Sequence, residues 1–225
     1  MKKTTALILA LCCLLLCSCG GDVMKSVYGI FGIDNTDYSA EETTAVLDTE
    51  DETVKALAAT ACIVCHGDRI VPFDSFSDKA GDYIDIVLNY LVGTFYSRYS
   101  ADKEMMDRFS REYPELNVNA LIPLSDYEST VYSCFGGTRK ATVKSTAMYS
   151  YLDKINAFVL VGHTPENSIE YTVHEAEETE NTYRLVISFK KNGTDAGTYD
   201  FVFRKRESGD PYIWRLTASS KIYAV

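Results

Sequence analysis

The chain lacks every short motif by which hydrolytic or phosphoryl-transfer sites are most often recognised. It has no G-x-S-x-G elbow, no Walker-type phosphate loop and no H-E-x-x-H pair, and only three histidines in 225 residues. Positive charge is scarce as well: 22 Lys and Arg face 32 Asp and Glu, a formal net charge of -10. A body of that sign repels phosphate backbones and anionic headgroups, which argues against nucleic acid as a partner. The apolar run Ala6–Leu16 falls well short of the roughly 20 residues of a membrane-spanning helix and has the length of an export-signal h-region. No internal repeat and no low-complexity stretch divides the chain.

What is present begins at the N-terminus. Lys2 and Lys3 precede the apolar run, and Leu16-Cys17-Ser18-Cys19 closes it. A leucine three residues before Cys19 and a small residue directly before it resemble the lipobox of bacterial lipoproteins. Cys17 does not fit, because Leu16 before it is too large. The resemblance implies cleavage after residue 18, acylation of Cys19, and an extracytoplasmic body anchored to the cell membrane or envelope by lipid. An ordinary secretory signal cut at a small residue is the alternative. Loss of Lys2 and Lys3 with residues 1–18 removes two positive charges and takes the formal charge from -10 to -12. Residues 19–48 then read as a tether and leading segment, and 49–225 as a single domain. Cys12, Cys13 and Cys17 leave with the signal and Cys19 takes the lipid, so Cys62, Cys65 and Cys134 remain. An odd number of cysteines does not make a disulfide framework.

The first half of the domain, 49–137, carries helical periodicity. Thr49 to Glu52 spells a capping box, followed by an apolar stripe of Val54, Leu57, Ala58, Ala61 and Cys65 that Gly67 can end. A second helix begins between Asp78 and Asp82 and presents Ile84, Val87, Leu88, Leu91 and Phe95, widened by Ile86, Tyr90 and Val92. "SADKEMMDRFSREY" reads as a shorter helix limited by Pro114. A second capping box, Ser125 to Glu128, opens a helix that closes at Gly136-Gly137. From 157 to 220 the period becomes two. "AFVLVG" is a short strand; Ile169, Tyr171 and Val173 alternate, then Tyr183 to Phe189, then Tyr199 to Phe203, then Tyr212, Trp214 and Leu216. Polar links, with Asn192-Gly193 the clearest turn, make this an antiparallel meander. The fold class expected is α+β, with N-terminal helices packed on a C-terminal meander of four to five strands.

Helices followed by a curved sheet ending near "IWRLTASSKI" resemble the cystatin-like and NTF2-like exported proteins of bacteria. "IPLSDYESTVYSCFGG" is also similar to a proline-capped helix of small secreted inhibitors of cell-wall peptidases. No site residue is carried over from either likeness.

One motif spells chemistry. Cys62-Ile63-Val64-Cys65-His66 matches the Cys-x-x-Cys-His attachment sequence of covalent haem c, with Met105 or Met106 available as a sixth ligand. Against it, both cysteines follow the helix stripe as small apolar residues, and the sequence after Gly67 runs straight into an apolar helix. A zinc site would need Cys134, His163 or His174 recruited from far away, and a disulfide from Cys134 to one of the pair is an equal alternative. His163 reads as a loop histidine. His174 should point away from the core, with Glu175 on the opposite face. The reading favoured is a lipid-anchored, non-catalytic envelope module that binds a peptide, glycan or envelope protein, an inhibitor of a cell-wall enzyme among them, with no cofactor and no metal. A c-type monohaem electron-transfer domain and a hydrolase with an unrecognised site are the alternatives.

Overall fold

The computed structural model describes residues 43–225 except 117, 119, 138–140, 161–167, 208, 222, 224 and 225. Cys19, the expected lipid site, and His163 lie outside the described residues. Within them, no helix is long and apolar enough to cross a membrane.

The fold is α+β. The helices lie in the first half of the domain, with two short strands among them: α1 (Glu52–Ala61), α2 (Ile84–Ala101), α3 (Lys103–Glu112) and α4 (Leu124–Phe135). The principal sheet is antiparallel throughout. It is formed by β1 (Ala45–Val46), β5 (Ile169–Glu178), β6 (Thr182–Lys191), β7 (Thr194–Arg204) and β8 (Tyr212–Ala218), in that spatial order. A smaller sheet of β2 (Leu121–Pro123), β4 (Ala157–Leu160) and β3 (Tyr149–Leu152) has β4 at its centre. β2 and β3 are too short to show alternation, and they form because β4 satisfies both their edges. β1 falls in the segment expected to be tether and adds an outer strand beside Glu177 and Glu178.

α1 buries Val54, Leu57, Ala58 and Ala61, as the stripe requires. Its cap lies two residues beyond the expected one. Asp48 accepts from the Glu50 N–H and Asp51 accepts from the Thr53 N–H at 2.7 Å, so the carboxylates take the role assigned to Thr49. α2 buries Ile84, Ile86, Val87, Leu88, Leu91 and Val92, but the stripe stops at Phe95. That residue has non-helical angles (φ -127, ψ 26), kinks the helix and leaves its ring 40% exposed. α4 starts directly after Pro123, so Ser125 already lies in its first turn and no capping box forms. It ends at Gly136 in the left-handed region (φ 66), where a β-carbon would collide with the Tyr212 ring.

The sheet's inner face meets α1 and α4, and Leu185, Ile187, Phe189, Phe201, Phe203, Ile213 and Leu216 are buried there. Phe73, Phe76, Tyr83 and Phe135 form one aromatic cluster, with Phe76 and Phe135 stacked at 4.3 Å. Asn192 and Gly193 both take positive φ (53 and 74), the geometry that a tight hairpin between β6 and β7 demands. Three bulges interrupt the ladders. Each inserts one residue on one strand: His174 between Val173 and Glu175, Ala196 opposite the Phe189–Lys190 step, and Trp214 opposite the Val202–Phe203 step. The Trp214 bulge reverses the expected alternation of β8: Ile213 and Leu216 face the core, and Tyr212 and Trp214 do not.

Among the described residues, one buried side-chain amide ties the layers together. Asn89 of α2 donates to the His66 carbonyl at 2.9 Å and accepts from the Tyr149 hydroxyl of β3 at 2.8 Å. Tyr149→Phe leaves that acceptor buried and unmatched, so we expect a loss of about 1–3 kcal/mol of stability. Urea unfolding of the two proteins measures it, and coincident curves would refute the assigned role.

Candidate functional site

The Cys-x-x-Cys-His residues occupy a 3-10 turn, Cys62–His66, that continues α1. Ile63, Val64 and Cys65 are buried in the main core, and Cys62 is half-buried. The Cys62 thiol donates back to the Ala58 carbonyl at 3.3 Å. Burial pushes the thiols up, Cys62 and Cys134 to about 11 and Cys65 to about 12. The His66 ring packs edge-on against Tyr90 of α2 at 5.4 Å. Burial, then the Lys191 charge, lowers its pKa to about 4, so the imidazole is neutral. Covalent haem does not fit this packing: bonds from both sulfurs to one porphyrin would require parting the turn from α2. Met105 and Met106 pack against a separate apolar cluster around Phe109, Leu121 and Val159, not against the turn. All three cysteines are unbridged, and no group of three His, Cys, Asp or Glu capable of holding a metal occurs among the described residues. Pulse alkylation with mass mapping of the three cysteines should find them inert in the native protein and modified together once it is unfolded. Rapid labelling of Cys62 in the native state would contradict the burial argument.

His174, inserted by its bulge, does not sit opposite Glu175 in function. Its ring stacks on Tyr223 at 4.1 Å, and the Tyr223 hydroxyl donates to Glu175 Oε1 at 2.6 Å. Lys221 donates to the same carboxylate at 2.6 and 2.9 Å, so Lys221 and Tyr223 form a strap on the outer face of β5. Beneath, His174 Nε2, Ser188 Oγ and Thr198 Oγ1 follow one another at 2.7 Å steps. Arg184 completes the row, bonding Asp200, Glu175 and Glu177. Hydrogen bonds from Lys221 and Tyr223 hold the Glu175 carboxyl down to about 2. A depressed carboxyl stabilises the strap fully above its unfolded value, and that contribution fades as pH falls towards about 2. We therefore expect carboxypeptidase trimming at Lys221 to be slow and constant from neutral pH down to the ordinary carboxylate range, and to be fast in Glu175→Gln. Equal trimming of both proteins at neutral pH would show that the strap does not depend on this carboxylate.

Two clefts open on the remaining bulges. The first lies between α4, the 75–80 segment and β8, with a volume of about 360 Å³. Phe76, Tyr127, Val131 and Phe135 make its walls, Tyr212 and Trp214 its rim, and Ser75, Ser77 and Thr142 supply hydroxyls. Its described lining contains no Asp, Glu, Lys, Arg, His or Cys. Arg206 fixes the rim: its guanidinium lies 4.7 Å from the Tyr132 ring and 4.8 Å from the Tyr212 ring, and it donates to the Tyr132 and Asp210 carbonyls. The second cleft, about 490 Å³, lies between the 65–70 segment and the β6–β7 hairpin and is polar.

Sequence reasoning did not find either cleft. Trp214, the single tryptophan, was placed by alternation with Leu216 on the core face. Only the bulge turns it to the rim, and nothing in the local residues marks that bulge. No protein-family model, no curated protein and no solved structure matches the chain.

Proposed function

We propose that this protein is a lipid-anchored, extracytoplasmic binding module that takes an uncharged, partly apolar group of an envelope partner in the cleft beside Trp214. Candidate groups are a peptide side chain, a glycan ring, or a surface residue of an envelope enzyme that the module restrains. The observation that carries the reading is the lining itself: four apolar or aromatic walls, two aromatic rim residues and three aliphatic hydroxyls, with no described carboxylate, amine, guanidinium, imidazole or thiol. General acid–base catalysis works best with a group that titrates near the operating pH, and burial pushes the Tyr127 phenol far above it, whereas recognition needs shape, apolar area and a few hydroxyls. Cys19 supplies the anchor by its resemblance to a lipoprotein cysteine. The acidic body, repelled by anionic headgroups, then stands off from the surface that holds it.

Because Trp214 is the only tryptophan, its emission reports occupation of this cleft without added label. Titration with soluble cell-wall fragments and with apolar peptides should shift that emission for one class. Ser77→Glu, which places a charge at the exposed mouth, should weaken the response about tenfold. Cys19→Ala should abolish incorporation of labelled palmitate. Unaided turnover of peptide or peptidoglycan by the purified protein would defeat the non-catalytic reading.

A further inference from the structure

The second cleft carries a different chemistry. Its floor is apolar, made by the buried wall at Cys65 with Ile70, the Tyr199 ring and the bulged Ala196. Around that floor stand two cations, Arg69 and Lys191, and two carboxylates, Asp68 and Asp195. Elsewhere Lys55, Lys79, Arg98, Lys154, Arg184, Lys205 and Lys221 each lie within 4.0 Å of a carboxylate. These four charges line one cleft, yet no ion pair joins any of them to another described residue.

The backbone around them is held in place. The Lys191 ammonium, half-buried, donates to the Gly67 carbonyl at 2.6 Å and so pins the hairpin to the turn after α1. An ammonium has three N–H groups, and this bond uses one. Gly67 must lack a side chain here, since a β-carbon would come within 2.6 Å of Ile86 Cγ1. Asp195 accepts from the Gly197 N–H through Oδ1 at 2.8 Å, and its second oxygen has no described partner. Asn192 locks the hairpin base, accepting from the Ser168 N–H at 2.8 Å.

From this arrangement we infer that the cleft binds a small zwitterion, a free amino acid or the end of a short peptide. Its carboxylate lies on Lys191 and Arg69, its ammonium on Asp195 and Asp68, and its carbon frame on the Ala196–Tyr199 floor. Charges of both signs that are left apart by the protein match a ligand that brings both signs itself. A purely anionic ligand would meet two carboxylates, and a purely cationic one two cations. This site is independent of the cleft beside Trp214.

The test is calorimetric. Thermal unfolding of the intact protein is measured with each of the common L-amino acids and with diglycine in excess, and titration calorimetry follows any that raises Tm. At least one should bind. Removing its carboxylate as the amide, or its ammonium as the N-acetyl derivative, should each weaken binding by about tenfold or more, the effect of losing one charge-assisted contact. Lys191→Met and Arg69→Gln should do the same, while Ser77→Glu at the other cleft should not. Arg69 is exposed, so its variant tests the site even if Lys191→Met fails to fold. Tighter binding of diglycine than of glycine identifies a peptide end as the ligand, and the reverse a free amino acid. The inference is overturned if none of these compounds stabilises the protein, if the N-acetyl or amide form binds as well as its parent, or if Arg69→Gln binds unchanged.

Discussion

A β-strand has two faces, and a residue inserted into one of two paired strands cannot join the ladder without moving everything beyond it to the other face. The principal sheet meets this constraint three times, at His174, Ala196 and Trp214. The Trp214 bulge keeps the aromatic core on the inner face on both sides of the inserted residue. Phe201 still pairs with Leu216 and Phe203 with Ile213, although the spacing on β8 is one residue longer. Each bulge leaves one side chain out of the pairing: His174 and Trp214 turn away from the core, while Ala196 packs against its edge. Polar groups and a stacked ring gather at His174, and the two clefts open beside Ala196 and Trp214.

The helices depend on the same face. α1 and α4 close over the buried strand residues, and the cluster of Phe73, Phe76, Tyr83 and Phe135 fills the space where helix, loop and strand meet. Asn89 joins the 3-10 turn to the smaller sheet, so the motif Cys62–His66 is fixed from both sides by contacts that have nothing to do with cofactor chemistry. Neutral thiols and a neutral imidazole are what such surroundings produce.

How much of this was legible follows from the range of each signal. The α1 stripe and the Asn192-Gly193 turn are written in adjacent residues; the turn forms as read, and so does the stripe from Val54 to Ala61, while Cys65 is buried in the 3-10 turn that follows. The α+β order and the antiparallel meander follow from the change of period near residue 157. The α1 cap was misplaced by two residues because Asp48, Thr49 and Asp51 are all able to cap neighbouring N–H groups, and local spelling does not rank them. β2 and β3 depend on pairing with β4 across the chain, which no short window contains. The aromatic cleft was hidden for the same reason: Trp214 alternates correctly with Leu216 on paper, and only a mismatch of strand lengths turns it outward. The haem spelling was read in a context that already gave its cysteines another use, and their burial accords with that use.

The Tyr212 ring fills the space that a side chain at Gly136 would take, and it lies against the Arg206 guanidinium, which also covers Tyr132. A rim aromatic held on two sides has little rotational freedom left to surrender. Ordering a loose side chain on association costs about 0.5–1.5 kcal/mol, and at this position most of that loss has already occurred during folding. The proposed partner would meet beside Tyr212 a surface whose shape is set in advance, and selection there would fall on fit rather than on adaptation.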